Sequence, residues 1–349
     1  MVFDYKKIMN EETISRALIV FDMDGVIIDV SRSYREAVRM AARLFFKGAA
    51  SWENLPDPLF SHAELARVKQ SGGLNNDWDL TFLIINLLFT RVFTRVQISI
   101  EDHDSNPWRN YKKIIKGSDV SGLARFLQEK RNPLSTLFDK SGRISNDFIT
   151  SLYTGDIGSG NIIKQIFQEI YLGKALFEST YQVQSIVFHE KGLIDQETLL
   201  IDKSTLENLF SRNILAIATG RPRIEADYPL GLFNLKKYFT YILTLDDCIN
   251  EEEKRFKKGG KKVSLSKPNP FMLDAIAGAL ESRVSGYYYV GDMPDDMMAA
   301  SNARAGYISI GILKSSSDKD RLRRDLECAN ADYIIEDFDE LAKIVKSNY

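Results

Sequence analysis

Two aspartates one residue apart, Asp22 and Asp24, stand in the stretch VFDMDGVIID (20–29), directly after the apolar run ALIVF and just before Gly25. Successive side chains alternate sides along a β-strand, so a pair at a strand end sends two carboxylates in different directions, and glycine lets the backbone bend beyond them. Three further segments carry polar groups beside short apolar runs. They are Thr219, Gly220 and Arg221 in ATGR, Lys267 in SLSKPNP, and Asp292, Asp295 and Asp296 in VGDMPDDM. Carboxylates gathered in one place repel one another unless a hard divalent cation sits between them, and an all-oxygen donor set suits Mg2+. A lysine and a small hydroxyl facing the same place suit a phosphoryl group, whose charge they neutralise or hydrogen-bond.

These residues need a scaffold that brings distant segments to one edge. NILAIATG (213–220), YILTLDD (241–247), GYYYVGD (286–292), GYISIGI (306–312) and DYIIED (332–337) read as strands. PFMLDAIAGALE, MPDDMMAASNARA and FDELAKIVKSN between and after them carry apolar residues at helical spacing. Short apolar runs alternating with helices predict an α/β fold with a parallel sheet, to which ALIVFD adds one more strand. In such open sheets functional groups gather beyond the C-terminal strand ends.

Nearly two hundred residues separate that first strand from the others. SYREAVRMAARLFF, NDWDLTFLIINLLF, VSGLARFLQEK and GNIIKQIFQEIYLGKALFE within them repeat apolar residues three and four apart, the pattern of amphipathic helices. The expected architecture is therefore a discontinuous three-layer core, residues 1–31 and 191–349, with a mostly α-helical domain, residues 32–190, inserted after the first strand. The charged run EEEKRFKKGGKK (251–262) has no apolar period and is expected to be an exposed loop.

With 46 basic and 48 acidic side chains the formal charge is −2, which gives no sign of a nucleic-acid or anionic-membrane partner. Cys248 and Cys328 stand far apart without metal-ligand or redox spacing, and His62, His103 and His189 show no ligand or triad spacing. The N-terminal segment lacks the apolar stretch of a signal peptide, and LTFLIINLLF (80–89) is too short to span a bilayer. A reducing cytoplasmic setting and a small-molecule substrate are expected, with the oligomeric state open.

DMDGV (22–26), ATG (218–220), Lys267 with Pro268, and GDMPDD (291–296), in that order, resemble the four motifs of the haloacid dehalogenase superfamily of phosphotransferases, with a subfamily IA-like helical cap inserted after the first. The resemblance covers nearly the whole sheet domain and, for the cap, only its location. It implies a phosphatase in which Asp22 attacks phosphorus to form an aspartyl-phosphate and Asp24 serves as acid and then base. Thr219 and the Gly220 amide would hold phosphoryl oxygens, and Lys267 would offset negative charge. Mg2+ would be bound by Asp22, Asp292, the backbone carbonyl of Asp24 and the further acid Asp296. Asp295 reads instead as a solvated first-turn acid. Arg221 is open between a phosphate contact and a surface ion pair. Retention of Asp24 argues against dehalogenation, because a departing halide needs no proton.

Substrate choice falls to the inserted domain. QSGGLNNDWDLT (70–81) is its most site-like segment, where Asn76 and Trp78 would bond or stack a polar ligand; Asn76 or Asp77 reads equally as a helix cap. TGDIGSGN (154–161) lacks the Lys-Ser/Thr ending of a nucleotide-binding loop and reads as a connection between helices. Phrases of the insertion resemble relatives associated with histidine-pathway enzymes. A phosphomonoester hydrolase acting on a small phosphorylated metabolite is the leading expectation, ahead of a phosphomutase of the same fold and a non-catalytic phosphate-ligand binding protein.

Overall fold

In the computed structural model, residues 16–70, 76–95, 106–137, 146–280 and 284–347 are described. Gly72, Gly73, Asn75 and His103 from the sequence reading lie outside them. The chain divides into two compact units, one of residues Met1–Ile27 and Leu200–Tyr349, the other Ile28–Leu199.

The first unit is built on a six-stranded sheet. Its strands are β1 (Arg16–Phe21), β2 (Ile214–Ala218), β3 (Tyr241–Leu243), β4 (Val284–Gly291), β5 (Ile308–Ile312) and β6 (Tyr333–Ile335). They run parallel in the order β6-β5-β4-β1-β2-β3, so the first strand of the chain sits among the central ones. After the exposed Arg16, β1 is buried from Ala17 to Phe21 and is accordingly apolar over those five residues. Leu18 and Val20 pack with Ala216, Ala218 and Tyr289 against Met272, Leu273 and Ile276 of helix Phe271–Gly278 and Ala299 and Ala300 of helix Pro294–Asn302. Each Leu or Ile buried this way stabilises the fold by about 1.5–3 kcal/mol. This is the α/β core that the strand–helix alternation predicts.

One expectation is corrected here: residues 251–259 are not loop but the second half of helix Leu245–Gly259. Thr244 and Asp247 form a capping box at its start and Gly260 closes it in the left-handed region, φ 68°. Acids crowd its first half and bases its second, matching the helix dipole, and Glu251–Arg255 and Glu253–Lys257 pair four residues apart. Caps and charge order rather than an apolar stripe specify this helix.

The second unit is helical, with Tyr34–Leu44, His62–Gln70, Asp77–Phe89, Pro107–Lys116, Ser121–Glu129, Asp147–Ser151 and Ile162–Tyr181 as its α-helices. Its core gathers the buried face of Asp77–Phe89 (Leu80, Ile84, Ile85, Leu88), Phe45 and Phe46 beyond the first helix, and Ile166, Phe167 and Tyr171. Gly173, at φ 72°, breaks the last helix where the chain at Gly192 passes so close that a Cβ would fall 2.1 Å from the Gly192 nitrogen. Residues 28–31 and 191–199, placed with the sheet by the sequence, belong to this unit. A short antiparallel ribbon pairs Ile28–Asp29 with Thr198–Leu199, and Glu197 accepts from Ser33 Oγ at 2.8 Å and Tyr171 OH at 3.1 Å. No helix among the described residues is long and apolar enough to cross a membrane.

Candidate active site

The C-terminal ends of the adjacent strands β4, β1 and β2 deliver the polar residues to one place. Asp22 follows β1, and its amide donates to Val290 O of β4 at 2.8 Å, which fixes the backbone at the first carboxylate. Its Oδ1 accepts from the Met23 amide and from Lys267 Nζ, both at 2.7 Å. Lys267 comes from the segment between helices Leu245–Gly259 and Phe271–Gly278, and the same Nζ lies 2.8 Å from Asp296 Oδ1. Asp296 sits in the first turn of helix Pro294–Asn302. Its Oδ1 also accepts from Tyr289 OH at 2.9 Å, and its Oδ2 from the Met293 amide at 3.1 Å.

Asp292 follows β4 directly and is buried; Ser315 Oγ donates to its Oδ2 at 3.3 Å. Gly25 makes room for it: the backbone there has φ 71°, and a Cβ would fall 1.9 Å from Asp292 Oδ2. Asp22, Asp292 and Asp296 each place a carboxylate oxygen within 4.8 Å of the others, all three side chains being buried. Burial pushes the Asp22 carboxyl up to about 8, with Lys267 opposing and the Asp296, Asp24 and Asp292 carboxylates adding to the rise. For Lys267 burial works against the charged form, but the Asp22 and Asp296 carboxylates overcome it and hold the ammonium above its usual range. The three carboxyl groups share a buried space. An all-carboxylate donor set of this kind fits a hard divalent cation.

Asp24 is directed elsewhere. Its Oδ1 is 2.5 Å from Arg221 Nε, and its side chain is 34% exposed whereas that of Arg221 is 1% exposed. Arg221 is thus a buried ion-pair partner of Asp24, an arrangement that neither sequence alternative for this residue contained. Nη1 of Arg221 donates to Glu225 O at 3.1 Å and its amide donates to Thr219 Oγ1 at 3.2 Å. Thr219 is buried and its own amide is anchored to Leu243 O at 3.0 Å; the Arg221 amide uses the oxygen of its hydroxyl and not the proton. Gly220 is exposed, with nothing within 4 Å of the position a Cβ would take.

Asp22, Asp24, Thr219, Gly220, Arg221, Lys267, Asp292 and Asp296 therefore all stand in the first unit, Lys267 on a segment between two helices, Asp296 in the first turn of a helix and the others just beyond strand ends. Asn76 and Trp78 stand in the second. Asn76 Oδ1 accepts from the Trp78 amide at 2.8 Å and caps helix Asp77–Phe89, while Lys164 Nζ lies 4.1 Å from the Trp78 ring centroid. Sequence reasoning missed Tyr289 and Ser315. Each sits in a run of identical residues, Tyr287–Tyr289 and Ser315–Ser317, and only strand register and loop path select the member that faces the carboxylates.

A family model described as haloacid dehalogenase-like hydrolase matches residues 17–304. Among curated proteins the chain is similar to imidazoleglycerol-phosphate dehydratase of Phytophthora nicotianae, 22% identical over 297 residues that make up 84% of this chain and 43% of that protein. It thus spans less than half the length of that relative. Among solved structures, Northeast Structural Genomics Consortium target ZR25 superposes with a TM-score of 0.62 at 21% identity, over 95% of this chain and 98% of the other. Phosphatase Tt82 from Thermococcus thioreducens gives a TM-score of 0.49 at 19% identity, over 89% and 99%. At its identity the first of these structures shows a shared fold. The family model spans both the sheet unit and the inserted helices, and the chain belongs to the haloacid dehalogenase-like hydrolases.

Proposed function

We propose that this hydrolase is a Mg2+-dependent phosphomonoesterase that works through a phosphorylated Asp22. The observation carrying this reading is the division of labour between the two neighbouring carboxylates. Asp22 is buried and bound by Lys267 among other acids, whereas Asp24 lies outside that acidic group on Arg221.

In the first half-reaction an Asp22 oxygen attacks phosphorus, the bond from phosphorus to the ester oxygen breaks, and Asp24 gives that oxygen a proton. In the second, water attacks phosphorus, Asp24 takes back a proton, and the bond to Asp22 breaks. The balance is monoester plus water to alcohol plus inorganic phosphate. Lys267 and Met23 N–H both engage Oδ1 of Asp22, which assigns the attack to Oδ2. The Thr219 hydroxyl and the Gly220 amide bind phosphoryl oxygens. Asp22, Asp292 and the Asp24 carbonyl hold the cation, with Asp296 beside them engaged by Lys267 and Tyr289. The cation supplies charge stabilisation for the transferring phosphoryl group.

The substrate is a small phosphorylated metabolite, read by the helical unit that carries Asn76 and Trp78, and the setting is cytoplasmic. Similarity to a protein named for a phosphorylated imidazole compound places histidinol phosphate in the test panel beside sugar phosphates and phosphoglycolate. Phosphate release is measured across that panel with Mg2+, with chelator and with Asp22→Asn. Release on one class that both chelator and substitution abolish is the expected result. No release on any compound sinks the hydrolase reading and favours a mutase or a binding protein.

A further inference from the structure

Arg221 is among the most deeply buried large side chains of the protein, yet it carries a full charge. Guanidinium groups remain charged in proteins, and burying one is tolerated only when its donors are used. Here Nε is given to Asp24 and Nη1 to the Glu225 carbonyl, Glu225 itself being buried. The backbone of Arg221 is tied at both ends as well, its amide to Thr219 Oγ1 and its carbonyl to the Leu245 amide at 2.9 Å. A side chain held at this many points has one position, and so has a carboxylate bonded to its Nε. Asp24 by contrast is one-third exposed and reaches the site on a backbone bent at Gly25, so its own packing does not fix it.

We infer that Arg221 is the positioning residue of Asp24. It keeps the Asp24 carboxylate in one orientation, outside the Asp22–Asp292–Asp296 group and facing the leaving oxygen, so that this acid moves protons and does not enter the cation's shell through its side chain. The inference rests on the phosphatase reading. It assigns Arg221 no contact with the phosphate: its position is buried and its Nε and Nη1 are engaged within the protein.

The test uses Arg221→Lys, which keeps the charge but loses the fixed fork, in the full chain with Mg2+. kcat/KM is measured for 4-nitrophenyl phosphate, phenyl phosphate and the alkyl phosphate turned over fastest in the panel, because kcat/KM reads the step in which the ester oxygen leaves. Nitrophenolate departs without a proton and an alkoxide does not. If Arg221 acts through the acid, kcat/KM falls about 100-fold for the alkyl ester, at the low end of what general acid catalysis contributes, and far less for the nitrophenyl ester. Residues acting as one unit give non-additive losses. Adding Arg221→Lys to Asp24→Asn is therefore expected to change kcat/KM for phenyl phosphate by less than about threefold.

Equal losses across the leaving groups, or a full further loss in the Asp24→Asn background, overturn the inference while leaving the phosphatase reading intact. A rise in KM alone does the same and makes Arg221 a phosphate contact. No phosphate release by the unaltered protein overturns both. Should Arg221→Lys fail to fold, the unaltered side chain carries the test. Its Nε–H proton resonance is expected downfield and slow to exchange, shifting when Asp24 is replaced by Asn; a resonance that Asp24→Asn leaves unmoved overturns the pairing.

Discussion

Lys267 Nζ stands 2.7 Å from Asp22 Oδ1, with 11% of either side chain exposed. The same ammonium also meets Asp296 Oδ1 at 2.8 Å. Lys267→Met keeps most of the volume and removes the charge. Breaking a buried pair from one side costs about 3–5 kcal/mol, and this variant is expected to lose that order of stability without cation, measured by urea unfolding. Activity falls at least about 100-fold with Mg2+ present, as for other lost electrostatic contacts to a reacting group. Unchanged unfolding midpoint and turnover would contradict the arrangement.

The raised carboxyl of Asp22 predicts how stability depends on pH. Its value is about 8 in the folded protein against 3.8 ordinarily, so the folded state binds the proton more tightly than the unfolded state. Stability from this group is fully present below pH 3.8 and is lost as pH rises through 8. Cation-free protein is expected to show a melting temperature that declines across that window, beyond any change in Asp22→Asn. A divalent cation takes the place of the proton and flattens the decline. A profile without cation that matches Asp22→Asn would remove Asp22 as its source.

Gly25→Ala tests the cradle around Asp292. The new methyl would occupy the space of the Asp292 carboxylate at a backbone angle that L residues rarely adopt. Left-handed strain of about 1–2 kcal/mol adds to the displacement of the acid. The expected variant is destabilised and binds Mg2+ at least tenfold more weakly by calorimetry. Gly220→Ala meets open space and is expected to leave stability within about 0.5 kcal/mol; equal Mg2+ affinity in Gly25→Ala and the unaltered protein would count against Asp292 as a cation ligand.

Asn76 caps helix Asp77–Phe89. Asn76→Ala is expected to cost about 1 kcal/mol, and Asn76→Asp, which restores an acceptor at the cap, a few tenths. Thermal unfolding checks both. If Asn76 also binds substrate, KM rises in both variants while only Asn76→Ala loses stability.

Much of the site was legible because each motif sits where an apolar run stops, and strand ends are where an open parallel sheet gathers function. The order of ALIVFD, ILAIATG and YYYVGD sufficed to bring Asp22, Thr219 and Asp292 together. The partner of Asp24 was not legible: Arg221 is 197 residues away in sequence, and an arginine after Thr-Gly looks the same whether it faces solvent or a carboxylate. Helix Leu245–Gly259 escaped notice because apolar period is the strongest helix signal, and its exposed, charged second half has none. The unit boundaries shifted for a similar reason, since the two-residue ribbon joining Ile28–Asp29 to Thr198–Leu199 is too short to leave a pattern.

The central claim is that phosphate passes through Asp22, and chemical capture tests it most directly. Protein turning over its best substrate is quenched in acid and reduced with borohydride, which converts an aspartyl-phosphate to homoserine, and the peptide containing residue 22 is sequenced by mass spectrometry. Homoserine at position 22, absent without substrate and absent in Asp22→Asn, is the predicted result. Phosphate release with an unmodified Asp22, and homoserine at another aspartate or at none, would contradict it.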